Sequence, residues 1–163
     1  QKAALHAMAN VTRYPHLTDL VAELTRIAQE ELEHFGMVQE RLRERGWALL
    51  PEEKDDYVGD LARFIRRGGN VHQQLVDRLL FAAMIEARSC ERFRMLSERV
   101  EDAGLRTFYR DLMVSEAHHY TTFLGFARAH APAGEDVEAR WQAFLDHEAG
   151  LMAGYGKRET MHG

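Results

Sequence analysis

Two Glu-x-x-His steps, Glu31 to His34 and Glu116 to His119, are the residues of this chain whose types and spacing can do chemistry. On a helix, positions three apart share one face, nearly one turn from each other. Each step therefore sets a carboxylate beside an imidazole, within reach of one metal ion. Glu86, in FAAMIEARSC, adds a carboxylate inside an otherwise largely apolar helical stretch. Oxygen and imidazole donors of this kind suit iron and manganese. Two such steps with further helix-borne Glu residues are the ligand pattern of di-iron and di-manganese carboxylate bundles.

The steps repeat: Glu31 and Glu116 stand 85 residues apart, as do His34 and His119. The chain therefore reads as two related halves. Carrying Glu86 back by the same interval lands on residue 1, where a fourth carboxylate is expected and Gln1 stands. Because the chain opens on Gln rather than Met, the expectation is a trimmed N-terminus, with that Glu at or just before Gln1. The repeat also chooses among neighbours. Glu30 is spaced to pair with His34, but the second half has Ser115 in that slot, so Glu31 is the ligand. Glu33 and His118 share one slot and are assigned to the surface or to a supporting role. A third match, Glu159-Thr-Met-His162, lies in a Gly-flanked tail without helical context and is read as chance.

Helices must position these residues. Residues 1–13 read as the end of a helix with Leu5 and Met8 along one side, broken by Tyr14-Pro15. Thr18 is taken as the N-cap of a second helix, 19–45, with Leu20, Leu24, Ile27, Glu31, His34 or Phe35, Val38 and Leu42 at helical spacing and Gly46 at its end. A short helix over about 57–67 follows, closed by Gly68-Gly69. A third long helix spans 71–103, with Leu75, Leu79, Ala83, Glu86, Cys90, Phe93 and Leu96 inward and Gly104 as the break. The fourth spans 105–131, through Phe108, Leu112, Glu116, His119 and Phe123. A fifth amphipathic helix is expected over 135–152, and an irregular tail from Gly154.

Composition sets the class. The 163 residues are 45% hydrophobic and 29% charged, enough for one domain with a real core and short for two. No apolar run approaches the roughly 20 residues of a membrane span, and no signal-peptide pattern opens the chain. Cys90 is the single cysteine, so no intramolecular disulfide forms and a reducing cytoplasm fits. A formal net charge of -5 argues against a uniformly basic nucleic-acid coat. Arg63, Arg66 and Arg67, with Lys157 and Arg158, remain as a local patch that either meets phosphates or is an ordinary solvated face.

The segments QEELEHF (29–35), VDRLL (76–80), MIEARSCERF (84–93) and SEAHHY (115–120) resemble the tRNA 2-methylthio-N6-isopentenyladenosine hydroxylases. The likeness runs from QKAAL through the fourth helix and thins from Pro132 onward. It implies an all-α, ferritin-like four-helix bundle with one or two accessory helices, a single di-iron domain over 1–163. It implies two carboxylate-bridged iron ions held by Glu31, His34, Glu86, Glu116 and His119. Lys2-Ala3-Ala4 matches the last three places of that family's Glu-x-Lys-Ala-Ala motif, which sets the first Glu just ahead of Gln1. The activity implied is oxygen-dependent hydroxylation of the isopentenyl group of a modified adenosine in the tRNA anticodon loop. O2 is the co-substrate, and electrons come from an external donor such as a ferredoxin or a reductase. Two alternatives stay open: a ferritin-like ferroxidase, peroxidase or iron-handling protein, and an unmetallated bundle used for protein interaction.

Overall fold

The computed structural model describes residues 2–51 and 55–156, and among them are six helices and no strand. They are α1 (Lys2–Arg13), α2 (Thr18–Glu44), α3 (Asp56–Ala62), α4 (Val71–Arg99), α5 (Ala103–Ala129) and α6 (Val137–Gly156). Gln1, with the acidic residues 52 and 53, the Glu159–His162 match and the Lys157-Arg158 pair, lies outside the described residues. The chain divides into two compact units, Gln1–Glu53 and Lys54–Gly163.

The first unit is a helical hairpin. Pro15 forbids continuation of α1, and the Tyr14–Leu17 turn closes when the Leu17 amide donates to the Tyr14 carbonyl at 3.1 Å. α2 then starts one residue earlier than expected. Leu17 occupies its N-cap position without a side-chain bond, so Thr18 is the first helical residue rather than the cap. Leu20, Leu24, Ile27 and Ala28 of α2 are buried, as are Ala4, Ala7, Asn10 and Tyr14 from the α1 side. This corrects the face assigned to α1: Leu5 is 65% exposed and Met8 is also exposed. The alanine face turns inward because small side chains let two helix backbones approach closely. α2 ends in a Schellman motif. Gly46, at φ 70°, donates to the Arg43 carbonyl at 3.0 Å, and the Trp47 amide donates to that of Leu42 at 2.9 Å.

The second unit is built on the α4–α5 hairpin. Asn70 caps α4 by accepting from the His72 amide at 2.7 Å, and Asp102 caps α5 by accepting from Leu105 at 2.9 Å. The Asp102 cap moves the break upstream of its expected place. α4 stops at Arg99, and Gly104 is the second residue of α5 rather than the interruption. Arg106 closes the connection, its Nη1 donating to the carbonyls of Val100 and Glu101 at 3.1 and 2.8 Å.

α3 and α6 pack on α4, and they change the character of its first half. Leu75 to Met84 is buried on nearly every side except at Arg78, which is half-buried, so the stripe expected there is instead a buried segment. Asp77 sits in it, fully buried. It accepts from Arg66 Nη2 at 2.7 Å, from the Arg66 amide at 2.8 Å, and from Arg140 Nε and Nη2 at 2.8 and 2.7 Å. Glu135 joins by accepting from Arg66 Nη2 and Gln73 Nε2, both at 2.7 Å. Arg140 also lies over the Phe64 ring, 4.3 Å from its centroid. Burial pushes the Asp77 carboxyl up, but the hydrogen bonds and charge of Arg140 and Arg66 outweigh it and hold the carboxyl below its ordinary range.

This network accounts for two boundary differences, at the end of α3 and the start of α6. α3 ends at Ala62 rather than about residue 67, because Phe64 to Arg66 are drawn onto Arg140 and Asp77. α6 begins at Val137, since Glu135 is engaged with Arg66 and Asp136 caps the helix by accepting from Ala139 at 2.9 Å. At the other end α6 continues through Gly154 to Gly156, where Tyr155 donates to Asp60 at 2.6 Å. It also removes Arg66 from the suggested phosphate patch, and Arg63 is paired with Asp60.

Candidate metal centre

Amphipathic periodicity brings the candidate ligands inward. On α5, Phe108, Leu112, Glu116, His119 and Phe123 are all buried, so one continuous face carries both apolar anchors and ligand residues. On α4, Glu86 follows the buried run that α3 and α6 hold in place. Glu86 is 4% exposed, Glu116 5% and His119 0%. One ligating atom from each lies within 4.8 Å of the others, and His119 Nδ1 is 4.0 Å from Glu86 Oε2. In the first unit, Glu31 is buried on α2 and His34 is half-buried, with Nδ1 3.8 Å from Glu31 Oε1.

The donor chemistry fits a metal. Two carboxylates with oxygens within 4.8 Å of each other in a low-dielectric interior repel, and a bound cation turns that repulsion into attraction. An imidazole at the same point supplies a nitrogen donor. Hard oxygens with imidazole nitrogen are the donor set of iron and manganese rather than of a structural zinc. Surrounding residues follow the repeat. Glu30 is ion-paired with Arg26, while Glu33 and His118 are exposed. Cys90 is a half-buried free thiol, its pKa pushed up by burial and by the nearby Glu116 charge. Among the remaining histidines, His147 stacks on Phe64 at 4.4 Å and His130 on Phe126 at 5.8 Å.

The family model described as tRNA-(MS[2]IO[6]A)-hydroxylase (MiaE) matches residues 1–163. The chain belongs to the MiaE family. Among relatives of this MiaE-family chain, the tRNA 2-(methylsulfanyl)-N(6)-isopentenyladenosine(37) hydroxylase of Pseudomonas putida is 40% identical over 126 residues, covering 77% of this chain and 60% of that protein. The protein of the same description from Salmonella typhimurium is 32% identical over 166 residues, covering 98% of this chain and 59% of that protein. The chain thus spans about three fifths of the length of these curated relatives. A solved structure, Protein 43 with aldehyde deformylating oxygenase activity from Synechococcus, matches with a TM-score of 0.84 and 37% identity, over 91% of this chain and 72% of that one. The fold class is all-α and ferritin-like, with six helices among the described residues. In this MiaE-family chain, a buried Glu/His set within a ferritin-like di-iron fold points to iron as the metal.

The Asp77 network is what sequence reasoning missed. Its signal was visible, since Asp77 interrupts the run from Leu75 to Met84, where a charge is expensive unless paired. Its partners were not visible, lying 11 and 63 residues away.

Proposed function

We propose that this chain carries the di-iron centre of an oxygen-dependent tRNA hydroxylase acting on the isopentenyl group of 2-methylthio-N6-isopentenyladenosine in the anticodon loop. One observation carries the reading: Glu86, Glu116 and His119 converge, buried, in a chain matched by the MiaE family over residues 1–163. Glu31 and His34 supply the second Glu-x-x-His set. On this reading 1–163 acts as one ferritin-like di-iron domain.

Glu31, His34, Glu86, Glu116 and His119 would hold two iron ions. The iron pair, when bound, supplies the electron pair and Lewis acidity that oxygen reduction needs. The overall change inserts one atom of O2 into a C–H bond and releases the other as water, using two electrons and two protons. The electrons require an external donor, a ferredoxin or a reductase. Burial of the ligand carboxylates limits water at the metal and keeps the oxidising equivalent for substrate. No helix among the described residues is long and apolar enough to cross a membrane, and a tRNA substrate implies a cytoplasmic reaction.

The test is reconstitution with ferrous iron, reductant, O2 and tRNA bearing the methylthio-isopentenyl base, followed by mass spectrometry of the nucleosides. Gain of one oxygen atom on the prenyl group supports the reading. Iron oxidation with no modified nucleoside would favour the ferroxidase alternative.

A further inference from the structure

The end of α2 carries surface features that the metal centre does not use. Trp47, immediately after the Schellman turn, is 64% exposed, and Leu50 is 85% exposed. The Trp47 backbone is fixed, since its amide donates to the Leu42 carbonyl and Gly46 takes the left-handed conformation before it. The indole is therefore presented to water from a hydrogen-bonded turn. Beside it lies a groove of about 420 Å³, lined by Gly36, Leu42, Arg43, Trp47 and Leu49 among others. Apart from its chain neighbours and the local helix backbone, a Cβ built on Gly36 meets nothing within 4 Å, so the groove is open at that point.

Charge and aromatic surface alternate here. Arg41, Arg43 and Arg45 occupy alternate positions at the end of α2, against Glu40 and Glu44. Arg41 and Arg45 donate to the carbonyls of Met37 and Arg41 at 3.3 and 3.1 Å, which holds both side chains along the helix end. Arg43 is ion-paired with Glu40, with both side chains largely exposed. Such a surface pair is weak and yields readily to a competing anion. Single-stranded nucleotides offer a π-face for an aromatic ring and a phosphate for a guanidinium.

We propose that this groove is a docking surface for a single-stranded segment of the RNA substrate, with a base stacked on Trp47 and a phosphate taken by Arg43 in place of Glu40. The proposal rests on the tRNA reading above and names the surface that reading requires.

Trp47 and Trp141 are the two tryptophans, so Trp141→Phe leaves Trp47 as the sole indole reporter. The full chain carrying Trp141→Phe is titrated with an anticodon stem-loop RNA and with a blunt duplex of equal length. Labelled-RNA anisotropy is recorded in parallel. The stem-loop should quench Trp47 with the midpoint seen by anisotropy, and the duplex should not. Trp47→Ala should weaken stem-loop binding about tenfold or more, and Trp47→Phe should retain most of it. Arg43→Ala should weaken binding and lower the salt slope by about one. Circular dichroism checks that each variant is folded.

RNA binding with Trp47 unquenched, and undiminished in Trp47→Ala, would overturn the docking surface while leaving the tRNA reading standing. So would loss of binding confined to Arg92→Ala or Arg110→Ala, exposed arginines on the α4–α5 hairpin. Self-association that depends on Trp47, without RNA quenching, would reassign the groove to a second copy of the chain. Absence of any RNA binding would sink the tRNA reading itself.

Discussion

Phe93 on α4 stacks on Tyr109 of α5 with ring centroids 6.0 Å apart, and each aromatic stands seven residues, two helical turns, from a ligand glutamate. Glu86 lies seven before Phe93, and Glu116 lies seven after Tyr109. In an antiparallel hairpin that places both carboxylates at one level. A single register therefore sets the aromatic stack and the ligand pair together.

On the proposed reading Glu86 and His119 serve metal binding rather than folding, because the hairpin is held by Leu75, Leu79, Phe108, Leu112 and Phe123. Glu86→Ala and His119→Ala should each abolish binding of at least one iron per chain and remove hydroxylation. Helix content by circular dichroism should be unchanged. An apo-protein that unfolds on either substitution would assign that residue a structural role.

Asp77 behaves in the opposite sense. Asp77→Ala strands the guanidinium groups of Arg66 and Arg140 in a largely buried site and should cost about 3–5 kcal/mol in urea unfolding. The acid limb follows the same groups. The Asp77 and Glu135 carboxyls are held below their ordinary values of 3.8 and 4.5, so their contribution is complete above those values. It is lost as pH falls through the lower folded-state values, which puts the decline below about pH 4. Asp77→Asn should flatten that limb of the stability profile, measured by urea midpoints from neutral pH downward.

Two glycines should respond to alanine with opposite signs. Gly46 has φ 70° with open space at its Cβ, so Gly46→Ala carries only the backbone penalty, about 1–2 kcal/mol destabilising. Gly125 lies within α5, exposed and equally open, so Gly125→Ala should stabilise by about 1 kcal/mol. Thermal melts of the two variants give the comparison directly.

What was legible in the sequence is local. The α5 stripe from Phe108 to Phe123 and the capping role of Gly46 follow from periodicity and from the left-handed preference of glycine, and both are as read. The convergence of Glu86, Glu116 and His119 follows from the same periodicity on two helices. α1 was misread because its leucine and methionine outrank alanine in hydrophobicity, while the helix pair selects for small contact residues. The boundaries of α3, α4 and α6 depend on Asp102, Asp136 and the Asp77 network. Tertiary partners decide such boundaries, and spacing along the chain does not encode those partners.

The enclosed stretch of α4 from Leu75 to Met84 also sets an order in time. Its amides are shielded by α5 on one side and by α3 and α6 on others, so no small fluctuation admits solvent to them. Deuterium should therefore enter this decade last, through opening of the whole second unit. The far end of the same helix, beyond Met95, should exchange early. The helix that carries Glu86 is thus two kinetic populations joined end to end, and the ligand sits close to their boundary.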